Sequence, residues 1–511
     1  MRSPARLAVF LLLTLSAAGC ARVQHRALVR PAYAATLEPE SRFLKAHMRD
    51  GRLYVLHEWS VEPGGAGIQG TGDLLDANRR LLETRTFRLA ADSIALLETN
   101  VVTTSAAVPV MVVLSAGSAF ISLLCISDPK ACFGSCPTFY ASADAPRPAA
   151  EGFSSSIAPA LEATDIDALW GARVAGAGYA LWMRNEALET HVVRSVDLLV
   201  APRPPGGRVL ATPSGEFRAV WGIRAPERAW DDEGDCLPAL LAFDGSERWS
   251  PADSTRLDAR ETIEIEFAAA PGESLGLVIA ARQSLLTTFL FYQALAYLGR
   301  SAGACLAALQ QGDASTLTRA REIGNRIGGI DVQRQDPNGA WLPVGSVSES
   351  GPIATDVRML MLPPARAARE RVRLELTRGA WRIDWIALAV VGPRVVPERL
   401  RPVAVTHDGV PDPAALGALL DSARTLITLP GDVYEISFAL PSDVPDPEIF
   451  LESRGYYLEW MRPEWLAEEN PVRAAVFFLD PTGTLRELAG EYKRSEPEME
   501  RLFWGSRYAR R

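Results

Sequence analysis

The strictest alternation in this 511-residue chain is Thr262-Ile263-Glu264-Ile265-Glu266-Phe267, where apolar residues take turns with polar and acidic ones at a period of two. That period suits a strand with one face in a core and the other in water. Shorter β patterns recur at Tyr179 to Met183, Val192 to Val200, Val209 to Thr212, Ile330-Asp331-Val332, Trp341 to Val347, Val372 to Leu376 and Trp381 to Leu388. Gly/Pro clusters such as Pro202 to Gly207 and Pro271-Gly272 separate them, and Asp336-Pro337-Asn338-Gly339 is a turn that closes a hairpin. Many short strands at this spacing predict β-sandwich modules over residues 176–400.

Upstream, residues 40 to 100 read as further strands. Asp50-Gly51, between His47 and Tyr54, is a hairpin turn, and Gly64-Gly65 and Gly70 break the next pairs. His47 and His57 have no Cys or His at metal spacing and read as ordinary surface or core histidines. A small β domain is expected over residues 20–100. Between Asn100 and Asp128 there is no charged residue, so residues 101–127 form an apolar helix, with Ala106 to Ile126 long enough to cross hydrocarbon. Whether it is buried, rests on a membrane or spans it stays open; a span would put the following cysteines in the cytoplasm, where disulfides are rare. Residues 128–175 then form a Cys-containing linker. A second uncharged run, Gln283 to Gly299, is apolar around the whole helix and opens a helical insert over residues 283–327.

The last part, residues 401–511, is expected to be α+β and helical toward its end. Asp446-Pro447, Asn470-Pro471 and Asp480-Pro481 each set a capping side chain before a first-turn proline, and Ser495 with Glu498 fits a capping box. The fold class is therefore mainly β with α+β parts: a small N-terminal β domain, one or two sandwich modules with an inserted apolar helical hairpin, and a helical C-terminal region. The strands of residues 328 to 392, with Gly351-Pro352 in their midst and a Trp-rich last strand, loosely resemble galactose-binding-like jelly rolls that accompany immunoglobulin-like modules.

The first residues carry Arg2 and Arg6, then an apolar stretch from Leu7 to Leu15, then small residues, which is the layout of a secretory signal over residues 1–19. Ala17-Ala18-Gly19-Cys20 resembles the lipobox of bacterial lipoproteins, with Ala17 in place of the usual leucine. The resemblance implies cleavage before Cys20, a palmitate-type acyl anchor on its thiol, and a place in the cell envelope. Ala21, not an acidic residue, follows the cysteine and resembles an outer-membrane address. The alternative is an ordinary signal cut near Ala18. Acylation supplies stable anchoring when more than one chain is attached.

Six cysteines are present: Cys20, Cys125, Cys132, Cys136, Cys236 and Cys305. With Cys20 acylated, five remain and at least one stays unpaired internally. Cys132-Phe133-Gly134-Ser135-Cys136-Pro137 resembles a Cys-Phe-Gly-x-Cys-Pro segment of uncharacterised bacterial lipoprotein domains, and Cys132 with Cys136 are the disulfide candidates. The same spacing resembles the Cys-x3-Cys-Pro of Sco proteins, thioredoxin-like copper-delivery and thiol-redox proteins. That resemblance implies Cys132, Cys136 and His191 as metal ligands. The strand-to-helix setting of a thioredoxin-like site is not evident.

Other signatures are absent: no Gly-x-Ser-x-Gly elbow, no His-Glu-x-x-His, no phosphate loop. Only five histidines occur, at 25, 47, 57, 191 and 407. Asp231-Asp232-Glu233-Gly234-Asp235 lacks calcium-loop spacing and reads as a solvated turn. Glu186, Glu189 and Asp197 are carboxylates of one strand region, and sequence does not give the separation that glycoside cleavage requires. A net charge of −9 and a pI near 5.4 argue against nucleic acid as a partner.

These observations lead to an exported, lipid-anchored envelope lipoprotein with a binding, assembly or structural role. No catalytic residue and no cofactor are assigned. Its partners are membrane lipid through Cys20 and an envelope protein or glycan. The two alternatives are a copper-binding or thiol-redox protein using Cys132 and Cys136, and a carbohydrate-binding or carbohydrate-processing protein stacking sugars on aromatics such as Trp381 and Trp385.

Overall fold

A computed structural model describes residues 21–29, 31–37, 44–48, 52–75, 81–105, 136–145, 147–157, 159–172, 174, 178–187, 189–299, 302, 305, 324–348, 351–429, 431–441, 446–459 and 468–505. The protein is mainly β, with its helices mostly toward the C-terminus. Two compact units are formed, one by residues 1–127 with 295–304 and 461–471, the other by the remainder.

The first unit holds sheet I, six antiparallel strands in the order Ala21–Val29, Ile94–Ser105, Leu44–Met48, Leu53–Val61, Gly67–Leu75 and Leu81–Ala90. Leu44–Met48 pairs antiparallel with Leu53–Val61, while the expected turn residues Asp50 and Gly51 lie outside the described residues. Gly64 and Gly65 turn the next corner at φ of 76° and 73°, a region open to glycine at little steric cost. His57 is the extra, exposed residue of a bulge between Leu56 and Glu58, and His47 is buried. Leu44, Ala46, Leu56, Ile68, Phe87, Leu89 and Ile94 fill the core. Residues 101–105, expected to begin the apolar helix, instead complete the strand Ile94–Ser105. The β-branched run Val101-Val102-Thr103-Thr104 favours that outcome. Residues 106–127 lie outside the described residues, and among the described residues no helix is long and apolar enough to cross a membrane.

The second unit carries four sheets. Sheet II runs Val410–Pro411, Ala404–His407, Val433–Ala439, Gly178–Arg184, Thr138–Tyr140, Ala150–Glu151. Sheet III runs Glu398–Leu400, Glu189–Ala201, Glu448–Glu459, Ala163–Ala168, with Leu426–Thr428 also paired to Glu189–Ala201. Sheet IV runs Arg208–Ala211, Phe217–Arg224, Trp381–Val395, Leu275–Gln283, Asp356–Leu362. Sheet V runs Gly234–Asp235, Arg228–Asp231, Arg260–Ala268, Arg369–Thr377, Ile330–Gln335, Trp341–Val347.

Sheets II and III share one core, in which Phe139, Leu181, Met183 and Ile436 meet Val193, Val196, Leu198 and Leu451. The other face of sheet III meets sheet IV through Leu199, Ala201 and Phe450 against Val220, Val278, Ala280, Ala387 and Ala389. Sheet IV is buried on its second face too, at Leu277, Ile279, Ile386 and Leu388. Strands covered on both sides have no use for alternation, and so Leu275 to Ala281 and Ile383 to Ala389 read as nearly continuous apolar runs. Sheet V has one wet face and keeps the strict alternation of Ile263, Ile265 and Phe267 with Glu264 and Glu266.

Chain order corrects the expected modules. Sheets IV and V draw their strands from residues 208–395, the chain passing several times between the two, whereas sheets II and III combine residues 138–201 with 398–459. The boundaries drawn at 175 and 400 thus fall among strands that share sheets, because the pairing of Glu189–Ala201 with Glu448–Glu459 is too distant in sequence for local pattern to show.

The four expected helix starts divide evenly between helices and other structure. Helices Pro471–Leu479 and Pro481–Glu487 begin at their prolines, and the Asp480 carboxylate accepts from the Gly483 amide at 2.9 Å. Asp446-Pro447 instead leads into the strand Glu448–Glu459, with Asp446 at φ 50°. Ser495 lies inside the helix Ala489–Gly505, its hydroxyl donating to the Tyr492 carbonyl at 3.1 Å. The uncharged run from Gln283 folds as the helix Leu286–Leu298, with Leu286, Leu290 and Ala294 buried and Phe289 packed on Tyr492.

Consecutive residues of sheet IV should therefore be equally intolerant. Ile386→Asp and Ala387→Asp are each expected to cost at least about 3 kcal/mol, because either buries an unpaired charge. In sheet V, Ile265→Asp should cost as much while Glu266→Gln stays within about 1 kcal/mol. Urea unfolding monitored by tryptophan fluorescence measures all four.

Candidate functional site

The richest collection of buried chemistry lies between sheets II and III. Thr138–Tyr140 enters sheet II directly after Cys136 and Pro137, which leaves the Cys136 thiol buried in the II/III core. Across the core, Glu189 and His191 sit two positions apart on one strand, so both side chains point the same way. Both are fully buried, with His191 Nε2 2.8 Å from Glu189 Oε1. Tyr457 faces His191 in the antiparallel register and donates its hydroxyl hydrogen to the Ser154 carbonyl at 3.1 Å. Asn185 Nδ2 donates to the carbonyls of Glu189 and Thr428 at 2.9 and 3.2 Å. At the periphery, Tyr140 donates to Glu186 at 2.9 Å, and Tyr292 to Glu459 at 2.9 Å.

Burial pushes the Cys136 thiol well above its ordinary value, and the charges of Glu151 and Glu189 push the same way; a hydrogen bond with Tyr457 opposes them. Burial likewise raises Tyr457, with Cys136 and Glu189 adding to the effect. A thiol held neutral and out of water is a poor nucleophile and a poor soft-metal ligand, since both roles need the thiolate.

Glu151 links this seam to a second cluster where edge strands of three sheets converge. Ala150–Glu151 is the edge of sheet II, Ala163–Ala168 of sheet III and Asp356–Leu362 of sheet IV. Glu151 accepts from the Ile353 amide at 2.7 Å, and Asp356 from the amides of Ala168 and Val357 at 3.1 and 2.8 Å. Arg358 pairs with Asp356 and stands 3.5 Å from Asp165. Asp167 is buried among them, and its Oδ2 has no hydrogen-bond partner among the described residues. Burial first, then the charges of Asp165 and Asp356, hold its carboxyl well above the usual carboxylate range, while Arg358 pulls it down.

The sequence-derived site residues fall as follows. Cys20 and Cys132 lie outside the described residues, as does Cys125. Cys136 carries a free thiol, and so do the half-buried Cys236 and Cys305. Cys136 and His191 do come together around Glu189, yet among the described residues no group of three or more His, Cys, Asp or Glu side chains is arranged to hold a metal ion. Asp231 closes a tight hairpin by accepting from the amides of Glu233 and Gly234 and pairs with Arg248 at 2.7 Å, so that acidic turn is spent on structure. Glu189 and Asp197 stand eight residues apart on one strand, roughly 25 Å, and Asp197 bonds Arg399 at 2.9 Å. They do not form a glycosidase pair. Trp381 and Trp385, expected as stacking surfaces, are buried in sheet IV at 1% and 8% exposure and offer no face to a ligand. Missed by sequence reasoning were Glu151, Asp165, Asp167, Asp356 and Tyr457, which only the fold brings together.

No family model matches the chain, and no curated protein does. Among solved structures, a GH31 α-xylosidase from Xanthomonas citri aligns at 9% identity over 84% of this chain and 38% of that one, with a TM-score of 0.13, too low to establish a common fold.

The stability that the proton on Asp167 contributes is complete below the unfolded-state value of about 3.9 and is lost as pH rises through the raised folded-state value. Asp167→Asn should accordingly gain stability over the native chain at pH 8, on the order of 1 kcal/mol or more, and gain none at pH 4. Melting temperatures across that range measure it. Separately, Cys136 in the reduced native protein should resist iodoacetamide at pH 8 and react fully after denaturation, as read by peptide mass spectrometry.

Proposed function

We propose that the chain is an exported lipoprotein of the cell envelope, anchored by fatty acid on Cys20 and serving binding or assembly. The observation that carries the reading is the N-terminal sequence: basic residues, a short apolar stretch, then Ala17-Ala18-Gly19-Cys20. Ala21 after the cysteine supports an outer-membrane destination. The folded part supports a binding role over a catalytic one. Asn185 and Glu151 are engaged by backbone groups of neighbouring segments, and the thiol of the seam is kept neutral. That protonation state weighs against the copper or thiol-redox alternative, which needs Cys136 as thiolate.

Metabolic labelling with radioactive palmitate tests the anchor. Label is expected on the native chain and absent from the Cys20→Ser variant, whose signal-bearing precursor should accumulate. Unlabelled native protein, or label that persists in Cys20→Ser, contradicts the reading.

A further inference from the structure

The wet face of sheet V carries aromatics that the core does not need. Its inner face is already supplied by Ile263, Ile265, Phe267, Val372 and Leu374, all fully buried. Outward, Trp230, Glu264, Arg373 and Gln333 form one cross-strand row. Beside it, Glu266 faces Arg371 and Gln335 faces Trp341. The Arg371 guanidinium lies 5.3 Å from the Trp230 ring centre and 6.0 Å from that of Trp341. The two indoles are therefore no further apart than the sum of those distances. Arg373 lies 4.1 Å from Trp341.

Between the indoles the polar groups are fixed by one another. Glu264 pairs with Arg373 at 2.5 Å and with Arg371 at 3.1 Å, Glu266 with Arg371 at 3.1 Å, and Gln335 accepts from Arg371 at 3.1 Å. Side chains held in this way lose little freedom when a ligand arrives. Arg228 faces Glu266 and Glu375 accepts from Gln333 on the same face, so three guanidinium groups stand against three carboxylates, and the patch, without net charge, has no pull on a phosphate or a polyanion.

We infer that the outer face of sheet V binds a linear, uncharged polysaccharide. A pyranose ring offers a C–H face to an indole and a rim of hydroxyls to paired carboxylate, guanidinium and amide groups, which is what this patch presents. Two indoles on one face fit an extended chain that spans both, where a monosaccharide would reach one. The ligand deepens the binding role proposed above and rests on it. The anchor is read by palmitate and the ligand by a separate assay, so either can fail alone.

Native affinity electrophoresis of the full chain tests it, in gels containing hydroxyethyl cellulose, xylan or laminarin, with polygalacturonate as the charged arm. Retardation is expected on at least one uncharged polysaccharide and should be insensitive to salt. Trp230→Ala and Trp341→Ala should each weaken it at least tenfold, and Trp341→Phe should restore part of the loss. If either alanine variant melts early, Gln335→Ala replaces it and is expected to weaken binding. Three results overturn the inference: no retardation on any uncharged polysaccharide, retardation on polygalacturonate alone, or binding that survives these replacements.

Discussion

In the central strands of sheets III and IV most side chains on both faces are shut away from water, and the rest of the larger unit follows from that. Burial scales with apolar area, so a strand covered on both sides contributes about twice what an outer strand does. The long pairing of Glu189–Ala201 with Glu448–Glu459 and the pairing of Leu275–Gln283 with Trp381–Val395 form the centre of the stack. Sheet II closes one side through a single core. Sheet V, with one wet face, is free to place charge and aromatic rings outside.

Double burial has a consequence for polar residues. Any carboxylate, imidazole or amide on an inner strand must find partners within the protein. Glu189 and His191 pair with each other, Asn185 bonds two carbonyls, and Glu151 takes amides from the segment before Asp356. Polar groups that look like catalytic equipment by residue type thus tie strands and their connecting segments to one another.

The parts of this architecture that local pattern can express were legible. Sheet V was readable strand by strand, since one wet face writes a period of two into Thr262 to Phe267, and Asp336 to Gly339 named its hairpin. Sheet IV was readable as β only through short fragments, because continuous apolar runs fit a buried helix as well. The joining of residues 138–201 with 398–459 left no local trace. Asp446-Pro447 carried the same signal as Asp480-Pro481 and opened a strand instead, tertiary pairing overriding a cap. Conversely, Asp412-Pro413 was a usable signal passed over: Asp412 caps the helix Pro413–Leu420 by accepting from the amides of Ala414 and Ala415. Cys136 and His191 drew notice by type, but their real neighbours, Glu189 and Tyr457, depend on register. Trp381 and Trp385 look like surface aromatics in sequence because nothing in their neighbourhood reveals that sheet IV is covered twice.

Hydrogen exchange of the full chain, read peptide by peptide, reaches the double-covered sheets most directly. Amides of Val192 to Val200, Leu277 to Ala281 and Ile383 to Val391 should exchange slowest in the molecule, in one cooperative step, with the edge strands Trp341–Val347 and Val410–Pro411 opening much earlier. Exchange in sheets III and IV as fast as in those edge strands would contradict the account.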